Sequence, residues 1–341
     1  MKSEVHEVKP GPIGIHLGED RIKIAQVQSD AGKFEIVEMI SIATPKGGIV
    51  GGYIKQPRIV AEEIGNAVNS VKFQGRKTII AIPSEILKIN LVTVPETQNL
   101  DNAIASRISQ MAFEHPEEMS FDYRIIGKGK GTVSTIVAIT NKTHVQAIKE
   151  LVNQAKLMFM GTDLEMLSTY RLTSRIYQTD KKPVIIALYS GSCLKLSMFL
   201  DQVFVSVKTS ELETPRAMLD PKLAGIEINR FFEEYRKFHL VTEIPSVFLA
   251  GLPDASFTIE KAIWESTGMQ TTSIRWSQIF STSSSYSNFP ELKNRFGAYA
   301  CAIGLSIADS KISSDIPSPI IADPRLDGFK PEYLNFFASE D

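Results

Sequence analysis

The residues that could do chemistry in this chain lie in a strand-turn-strand segment, and the chemistry they indicate is phosphate binding. Residues 12–28 contain two apolar runs on either side of a tight turn after Gly18, a pattern that predicts a β-hairpin. Glycines such as Gly14 and Gly18 let backbone N–H groups come close to an anion. The turn itself carries Glu19 and Asp20, where a phosphate would favour Ser, Thr or Gly. The segment therefore has the outline of a nucleotide site without its chemistry.

The same pattern returns later in the chain. Residues 183–200 again predict a strand, a turn that contains Gly191, and a second strand, and residues 202–209 predict a third strand. A hairpin unit that occurs twice indicates an internally duplicated fold with a cleft between its two halves.

Composition and charge exclude several classes of protein. With 341 residues, 43% of them hydrophobic and 22% charged, the chain is long enough for two domains with sizeable cores. A net charge of -2 gives no broad attraction to nucleic acid or anionic lipid, so we expect no nucleic-acid partner. Cys193 and Cys301 lie far apart in apolar surroundings, which is typical of reduced thiols in a cytoplasmic protein. No run approaches the roughly 18 apolar residues of a membrane span, and we expect no direct membrane insertion.

The elements that would position the turns divide the chain into predicted units. A β-β-β-α-β unit opens the chain, and a small α+β unit interrupts it. The second hairpin then starts another unit of the first kind, which ends with an edge strand at 270–276, a Ser-rich loop at 281–287 and a helix at 292–308. The predicted boundaries are an N-terminal tail at 1–11, a first lobe at 12–85 plus 158–180, an inserted unit at 86–157, a second lobe at 181–308 and an extended tail at 309–341.

Several stretches, in this order, carry a resemblance to a known family. They are Ile13–Gly18 followed by Ile22–Gln26, then Met111–Tyr123, Ile136–Thr140 and Ala300–Leu305. Over roughly residues 12–308 the chain resembles PilM, the cytoplasmic actin-like protein of type IV pilus and related secretion assemblies, within the actin-like proteins of the FtsA type. The resemblance implies a two-lobed α/β fold of the duplicated, ribonuclease H-like kind, with an FtsA-type inserted α+β subdomain. The short link between Thr209 and Lys222 predicts that the small subdomain of the second lobe is truncated.

The resemblance also places a nucleotide cleft and shows what it lacks. The positions that match it are Gly14, Gly18, Gly191 and Gly251. His16 and Tyr189 stand where the family has the two carboxylates that serve magnesium and the attacking water. Phosphoryl transfer cannot readily spare those groups, so we expect no cofactor, no metal and no ATP hydrolysis. The alternative is an active ATPase that binds Mg-ATP and polymerises or switches, with Glu19, Asp20 or Asp201 as replacement acids.

A peptide groove is the other site that the resemblance implies. A PilN-like cytoplasmic tail of an inner-membrane protein would lie between the first lobe and the inserted unit, and would hold the protein at the membrane. The candidate lining residues are Leu91, Val92, Val94, Ile104, Arg107, Ile108 and Met111. The alternative is that these residues fill the core of the inserted unit. Other pilus or secretion platform proteins are further expected partners, and self-association is left open.

Overall fold

The computed structural model describes residues 10–30, 33–111, 118–177, 179, 182–191, 193–212, 219–238, 243–252, 257–282 and 293–309. The two predicted tails, 1–11 and 309–341, lie outside these residues except for positions 10, 11 and 309.

The secondary structure alternates strands and helices along the chain. The strands are β1 (Pro10–Leu17), β2 (Arg21–Asp30), β3 (Lys33–Ala43), β4 (Ile49–Val50), β5 (Tyr53–Ile54), β6 (Lys77–Ile82), β7 (Lys88–Pro95), β8 (Met119–Gly129), β9 (Thr132–Asn141), β10 (Met158–Leu164), β11 (Val184–Ser190), β12 (Cys193–Leu200), β13 (Val203–Glu211), β14 (Ser246–Ala250), β15 (Thr271–Ser273) and β16 (Phe280–Thr282). The α-helices are α1 (Pro57–Ser70), α2 (Leu100–Ser109), α3 (Lys142–Gln154), α4 (Glu165–Ile176), α5 (Pro221–Phe238), α6 (Phe257–Thr267) and α7 (Ala300–Ser306).

Two sheets of the described residues repeat one topology. The first has the order β10-β6-β1-β2-β3-β16 and the second the order β13-β12-β11-β14-β15. In each, three antiparallel strands form a meander, and two later strands add in parallel beside the first of them. The central strands β6 and β11 consist of nearly continuous apolar residues because both of their faces are covered. The predicted duplication is therefore present in the strand order itself.

The last helix of each repeat packs on the sheet of the other repeat. Helix α4 follows the first repeat and contacts β11, and its Tyr170 ring stacks on Phe199 of β12 with centroids 3.9 Å apart. Helix α7 follows the second repeat and packs on β1 and β2. The two helices meet closely, since a methyl group on Gly304 would overlap the backbone oxygen of Ser168. This exchange of helices fixes the two lobes against each other.

The inserted unit is a three-stranded sheet, β7-β9-β8, with α2 on one face. Helix α3, which the sequence assigns to this unit, packs instead on α1. The apolar stripe of α3 belongs to the same main core as the inward face of α1. This stripe consists of Ile148, Leu151, Val152 and Ala155. The inserted unit is thus smaller than the range 86–157 that the sequence predicts for it.

Three elements near the chain's end differ from the sequence-based expectation. The segment predicted as a Ser-rich loop begins with β16, which pairs in parallel with β3 and so joins the second repeat to the first sheet. The edge strand is limited to β15. The final helix is interrupted by a 3-10 turn at Phe296–Tyr299, where the Gly297 carbonyl accepts hydrogen bonds from the N–H of Ala300 and from the N–H of Gly251 (2.9 Å). Between β13 and α5 the chain has only residues 212–220, in agreement with a truncated second lobe.

Candidate functional site

The two hairpin turns predicted to hold phosphate lie in contact with each other. The first turn is closed by a hydrogen bond from the Gly18 N–H to the Arg21 carbonyl (3.2 Å). In the second turn Gly191 has a φ of +65°, and a Cβ at this position would lie 2.8 Å from Asp20 Oδ2 of the first turn. A Cβ on Gly18 would lie 3.3 Å from Ser190 Oγ. The turns therefore leave little space between them.

Beside the turns, four polar side chains, three buried and Glu85 half-buried, form what we call the interlobe ion cluster: His16, Glu85, Glu165 and Lys195. The Lys195 ammonium, on β12, lies 2.9 Å from Glu165 Oε1, 3.0 Å from Glu165 Oε2 and 2.9 Å from Glu85 Oε2. His16 Nε2, on β1, lies 3.2 Å from Glu165 Oε2. The Ser84 N–H donates to Glu165 Oε1 at 2.8 Å. One lysine of the second lobe is thus held by two carboxylates of the first, Glu85 and Glu165.

Burial and charge determine how the interlobe ion cluster is ionised. Burial alone would raise the pKa of Glu165, but Lys195 and the hydrogen bond from His16 outweigh it and hold that pKa well below its usual value. Burial would likewise lower the pKa of Lys195, but the two carboxylates raise it above its usual value. Burial lowers the pKa of His16, and burial together with the charge of Glu165 raises that of Glu85. The lysine and Glu165 consequently stay charged at neutral pH while His16 is neutral.

A second buried ion pair extends the polar interior toward α7. Arg171 Nη2 lies 2.7 Å from Asp163 Oδ2, and neither side chain is more than 1% exposed. The Arg171 Nη1 group also donates to the Gly304 carbonyl at 2.9 Å. Arg171 thereby links the end of β10 to the helix that closes the second repeat.

Gly14 and Gly251, the other glycines predicted to face a nucleotide, lie at close backbone contacts within the protein. A methyl group on Gly14 would overlap the carbonyl oxygen of Ala302 in α7. Gly251 has a φ of +85°, and a methyl group there would overlap the Tyr189 carbonyl oxygen. Packing alone accounts for glycine at both positions, and their role in cofactor binding stays a prediction.

The acids that an active ATPase would need have other contacts. Glu19 accepts a hydrogen bond from the Gly51 N–H in the β4–β5 turn, Asp20 lies against Gly191, and Asp201 occupies the β12–β13 turn with a φ of 45°. Within the described residues, no group of three or more His, Cys, Asp or Glu side chains could hold a metal ion.

Sequence reasoning missed Glu85, Glu165 and Lys195. A signal for Lys195 was present, because a charged residue stands in the middle of an apolar strand that is buried on both faces. Nothing local in the sequence pointed to its two glutamate partners, which are 110 and 30 positions away in the chain.

The residues predicted to bind a peptide fall into two groups. Four are core residues packed between α2 and the inserted sheet and are at most 4% exposed: Val92, Val94, Ile104 and Ile108. Leu91 is 61% exposed and lies on the other face of the sheet. Arg107 is exposed and donates to Gln110 Oε1 (3.2 Å), and Met111 is half-buried. The core alternative therefore describes the first four, and Leu91, Arg107 and Met111 stay open to a partner.

Only Met111 of this set lines the groove that separates the inserted unit from the second lobe. The groove has a volume of about 510 Å³ and is lined by residues 87–90 of the β7 segment, Met111, and residues 205–207 of β13. Both β7 and β13 are edge strands of the described sheets. This groove lies between the inserted unit and the second lobe, whereas the predicted groove lies between the inserted unit and the first lobe.

Alanine substitution separates core from surface within the predicted set. Ile104→Ala should lower the free energy of unfolding by about 2–5 kcal/mol, since it opens a cavity under α2. Leu91→Ala should change it by less than about 0.5 kcal/mol, because the side chain is largely exposed. Urea denaturation of the two variants measures both values, and an equal loss would contradict the assignment of the two faces.

None of the helices in the described parts of the chain is both long enough and apolar enough to cross a membrane.

Comparison with known proteins identifies the family and the fold. A family model described as "Type IV pilus assembly protein PilM" matches residues 14–190. The solved PilM-PilN type IV pilus biogenesis complex matches with a TM-score of 0.73 at 14% identity, over 87% of this chain and 98% of that one. No curated protein sequence matches the chain.

Two other solved structures match less well. A Bacteroides thetaiotaomicron protein with an actin-like ATPase fold has a TM-score of 0.45 at 9% identity, over 77% of this chain and 90% of that one. The cytoplasmic domain of EpsL, an inner-membrane component of the type II secretion system of Vibrio cholerae, has a TM-score of 0.45 at 10% identity, over 76% and 94%. The predicted actin-like α/β fold is confirmed by the likeness to the PilM-PilN structure together with the duplicated strand order. Because the family model spans more than half of its 341 residues, the chain belongs to the PilM family of type IV pilus assembly proteins.

Proposed function

We propose that this chain is a cytoplasmic scaffold that binds the cytoplasmic segment of a PilN-like inner-membrane protein and does not hydrolyse ATP. Its place would be the inner face of the membrane, in a type IV pilus or type II secretion-like assembly, where the partner holds it. The observation that carries this proposal is the interlobe ion cluster, in which Lys195 neutralises the buried carboxylates between the lobes.

The residues between the lobes do not fit a magnesium triphosphate. A bound metal needs carboxylates that are free to take up a cation, and Glu85 and Glu165 already share the Lys195 ammonium. His16 and Tyr189 supply no carboxylate, and the two glycine turns lie against each other. We therefore propose that the lobes are held together by side chains of the protein instead of by a nucleotide.

The partner half of the proposal is supported by family membership and by the inserted unit. The most similar structure reported above is of a PilM protein in complex with PilN. In this chain the inserted sheet offers Leu91 as an exposed apolar side chain and β7 as an edge strand of the described sheet. An extended peptide can use both, through apolar contact and through backbone hydrogen bonds.

Thermal unfolding with two additives tests the proposal. The first additive is Mg-ATP, and the second is a synthetic peptide of the cytoplasmic segment of a PilN-like inner-membrane protein from the same organism. The peptide at about 100 times its Kd should stabilise the fold by about 2.7 kcal/mol, because a ligand that binds only the folded state shifts the equilibrium. Mg-ATP should leave the Tm unchanged and release no phosphate.

The opposite pattern would refute the proposal. A clear rise in Tm with Mg-ATP, together with phosphate release, would support the ATPase alternative. An unchanged Tm in the presence of the peptide would refute the proposed scaffold role. Light scattering on the same samples shows whether the protein self-associates.

A further inference from the structure

Lys23 on β2 is a partly buried lysine without a partner among the described residues. Its side chain lies on the α7 side of the first sheet. Ala25, two residues further along the same strand and on the same face, is paired with Gly14, which contacts Ala302 of that helix. Neither a hydrogen bond nor an ion pair joins Lys23 to another described residue. Such a lysine is either a cation without a counter-ion or a free amine.

The neighbours of Lys23 on its face of the sheet bring it no negative charge. The strand register pairs Lys23 with His16 of β1 and with Ser41 of β3. His16 Nε2 contacts Glu165, but the carboxylate of Glu165 is already bound to the Lys195 ammonium. The described part of this face therefore offers Lys23 no counter-ion.

The guanidinium group of Arg21 is held beside Lys23. Arg21 Nε donates to Ser41 Oγ at 2.7 Å, and Arg21 Nη2 donates to the Ser41 carbonyl at 2.9 Å. Because Ser41 is the cross-strand neighbour of Lys23, with Cβ atoms about 5 Å apart, these bonds bring the guanidinium group next to the amine. Arg21 is exposed, and a guanidinium group has more N–H donors than these two bonds use. An oxyanion bound to Arg21 would therefore lie close to Lys23 Nζ.

The charges around Lys23 favour the neutral amine. Arg21 and Lys195 are positive, whereas the Cys301 thiol of α7 and the Tyr299 phenol before it are neutral, because burial raises the pKa of both. Burial, together with the charges of Arg21 and Lys195, lowers the pKa of Lys23 to about 8. The nucleophilic fraction of Lys23 at neutral pH is thus larger than that of an ordinary lysine, whose pKa is about 10.4.

We propose that Lys23 is a modification site that accepts the acyl group of a small acyl phosphate, and that Arg21 binds the phosphate of this acyl donor. The neutral Lys23 Nζ attacks the carbonyl carbon of the donor. A C–N bond forms and the C–O bond to the phosphate breaks. The phosphate leaves with the electron pair of that bond and takes up the proton that the nitrogen loses, so the products are an amide and hydrogen phosphate.

The arrangement selects a donor by its leaving group. A guanidinium group binds phosphate oxygens through paired N–H donors, so an amine beside it meets acyl groups that are attached to phosphate. The amide no longer carries the positive charge of Lys23, so the reaction removes an unpaired charge from the side of the sheet that α7 covers. This inference does not depend on the proposed scaffold function.

Mass spectrometry of the full-length protein after incubation with acetyl phosphate tests the site. The initial rate of acetylation at Lys23 should rise between pH 7 and pH 9.5 with a midpoint of about 8. At pH 7.5 it should exceed the rates at the exposed lysines Lys72 and Lys142 by at least about tenfold, because more of the Lys23 amine is neutral. A rate at Lys23 no higher than at these two lysines, or a rate without a midpoint below pH 9.5, would overturn the inference.

A second acetylating agent tests the role of Arg21. N-hydroxysuccinimidyl acetate is uncharged and reacts with the same amine, so the pKa of Lys23 affects both rates equally. The ratio of the acetyl phosphate rate to the N-hydroxysuccinimidyl acetate rate at Lys23 should fall by at least about tenfold in Arg21→Gln, since a charged hydrogen bond is lost. The ratio should not change in the control Arg76→Gln, which removes an exposed arginine bonded to Asn69.

Competition on the wild-type protein keeps the test valid if Arg21→Gln fails to fold. Excess inorganic phosphate should slow the acetylation of Lys23 by acetyl phosphate and leave the reaction with N-hydroxysuccinimidyl acetate unchanged. If neither Arg21→Gln nor inorganic phosphate changes the ratio of the two rates, phosphate binding by Arg21 is overturned, and with it the selection of an acyl phosphate.

Discussion

Replacing Lys195 by methionine is expected to remove about 3–5 kcal/mol from the free energy of unfolding. Lys195 is 3% exposed and contacts both Glu165 and Glu85, which are 0% and 18% exposed. Methionine fills a similar volume but leaves two negative charges together in the interior, where neither is well solvated. Urea denaturation at pH 7 measures the loss. The matched control is Lys208→Met on the neighbouring strand β13, which removes a half-exposed ion pair with Glu234 and should cost less than about 1 kcal/mol.

The loss in Lys195→Met should depend on pH with a known sign. In the wild type the pKa of Glu165 is lowered on folding, so the stability it contributes is present above the unfolded-state pKa and is lost as the pH falls toward the folded-state pKa. In the variant, burial without a cation raises the pKa of Glu165 instead, and protonation relieves the repulsion with Glu85. The difference in unfolding free energy between wild type and variant should therefore shrink from pH 7 to pH 5.

Neutralising the acids together should also reduce the loss. The variant Lys195→Met/Glu165→Gln/Glu85→Gln carries no charge at the three positions, and replacing a complete buried ion network costs much less than breaking it. A loss in Lys195→Met that is the same at both pH values, and that the triple variant does not reduce, would contradict the view that the network is ionised and unsolvated.

Local patterns were sufficient to predict the duplicated fold, because each of its parts has a local signature. Alternating and continuous apolar runs gave the strands, and the second hairpin repeats the first at a long spacing. The segment after β15 could not be predicted in the same way. Its Ser-rich start is polar, and it becomes β16 because β3 offers a free edge to which Phe280 and its neighbours can bond. The free edge of β3, and not the sequence of the segment itself, therefore determines that residues 280–282 form a strand.

The interlobe ion cluster could not be predicted, because its members are distant in sequence. Each of them also has a common local explanation in its own element. Glu165 looks like a favourable acid in the first turn of a helix. Glu85 looks like a turn residue. Glu165 reaches Lys195 because α4 packs against the second sheet, and Glu85 reaches it because the 3-10 turn Ser84–Ile86 lies against β13.

The inserted unit shows a different limit. The sequence Leu91-Val92-Thr93-Val94 places apolar side chains on both faces of β7, so alternation alone does not tell which face α2 will cover. The structure covers Val92 and Val94 and leaves Leu91 exposed. The predicted peptide-binding set was therefore a mixture of core and surface residues.

Gly14→Ala is expected to lower the free energy of unfolding by about 2 kcal/mol or more, with the same loss in the presence and absence of Mg-ATP. The added methyl group would overlap the Ala302 carbonyl oxygen and crowd Leu305, so α7 would have to move away from β1 and disturb the contact between the lobes. Gly127→Ala is the control, because a Cβ at that position has no atom within 4 Å, and it should leave the free energy of unfolding unchanged or raise it by up to about 1 kcal/mol. If Gly14 instead contacts a nucleotide, Mg-ATP should stabilise the wild type. Gly14→Ala should then unfold at the same free energy as the wild type without Mg-ATP, and Mg-ATP should not stabilise it. Denaturation curves of wild type, Gly14→Ala and Gly127→Ala with and without Mg-ATP thus decide whether the glycine of the first hairpin exists for a ligand or for the helix that packs on it.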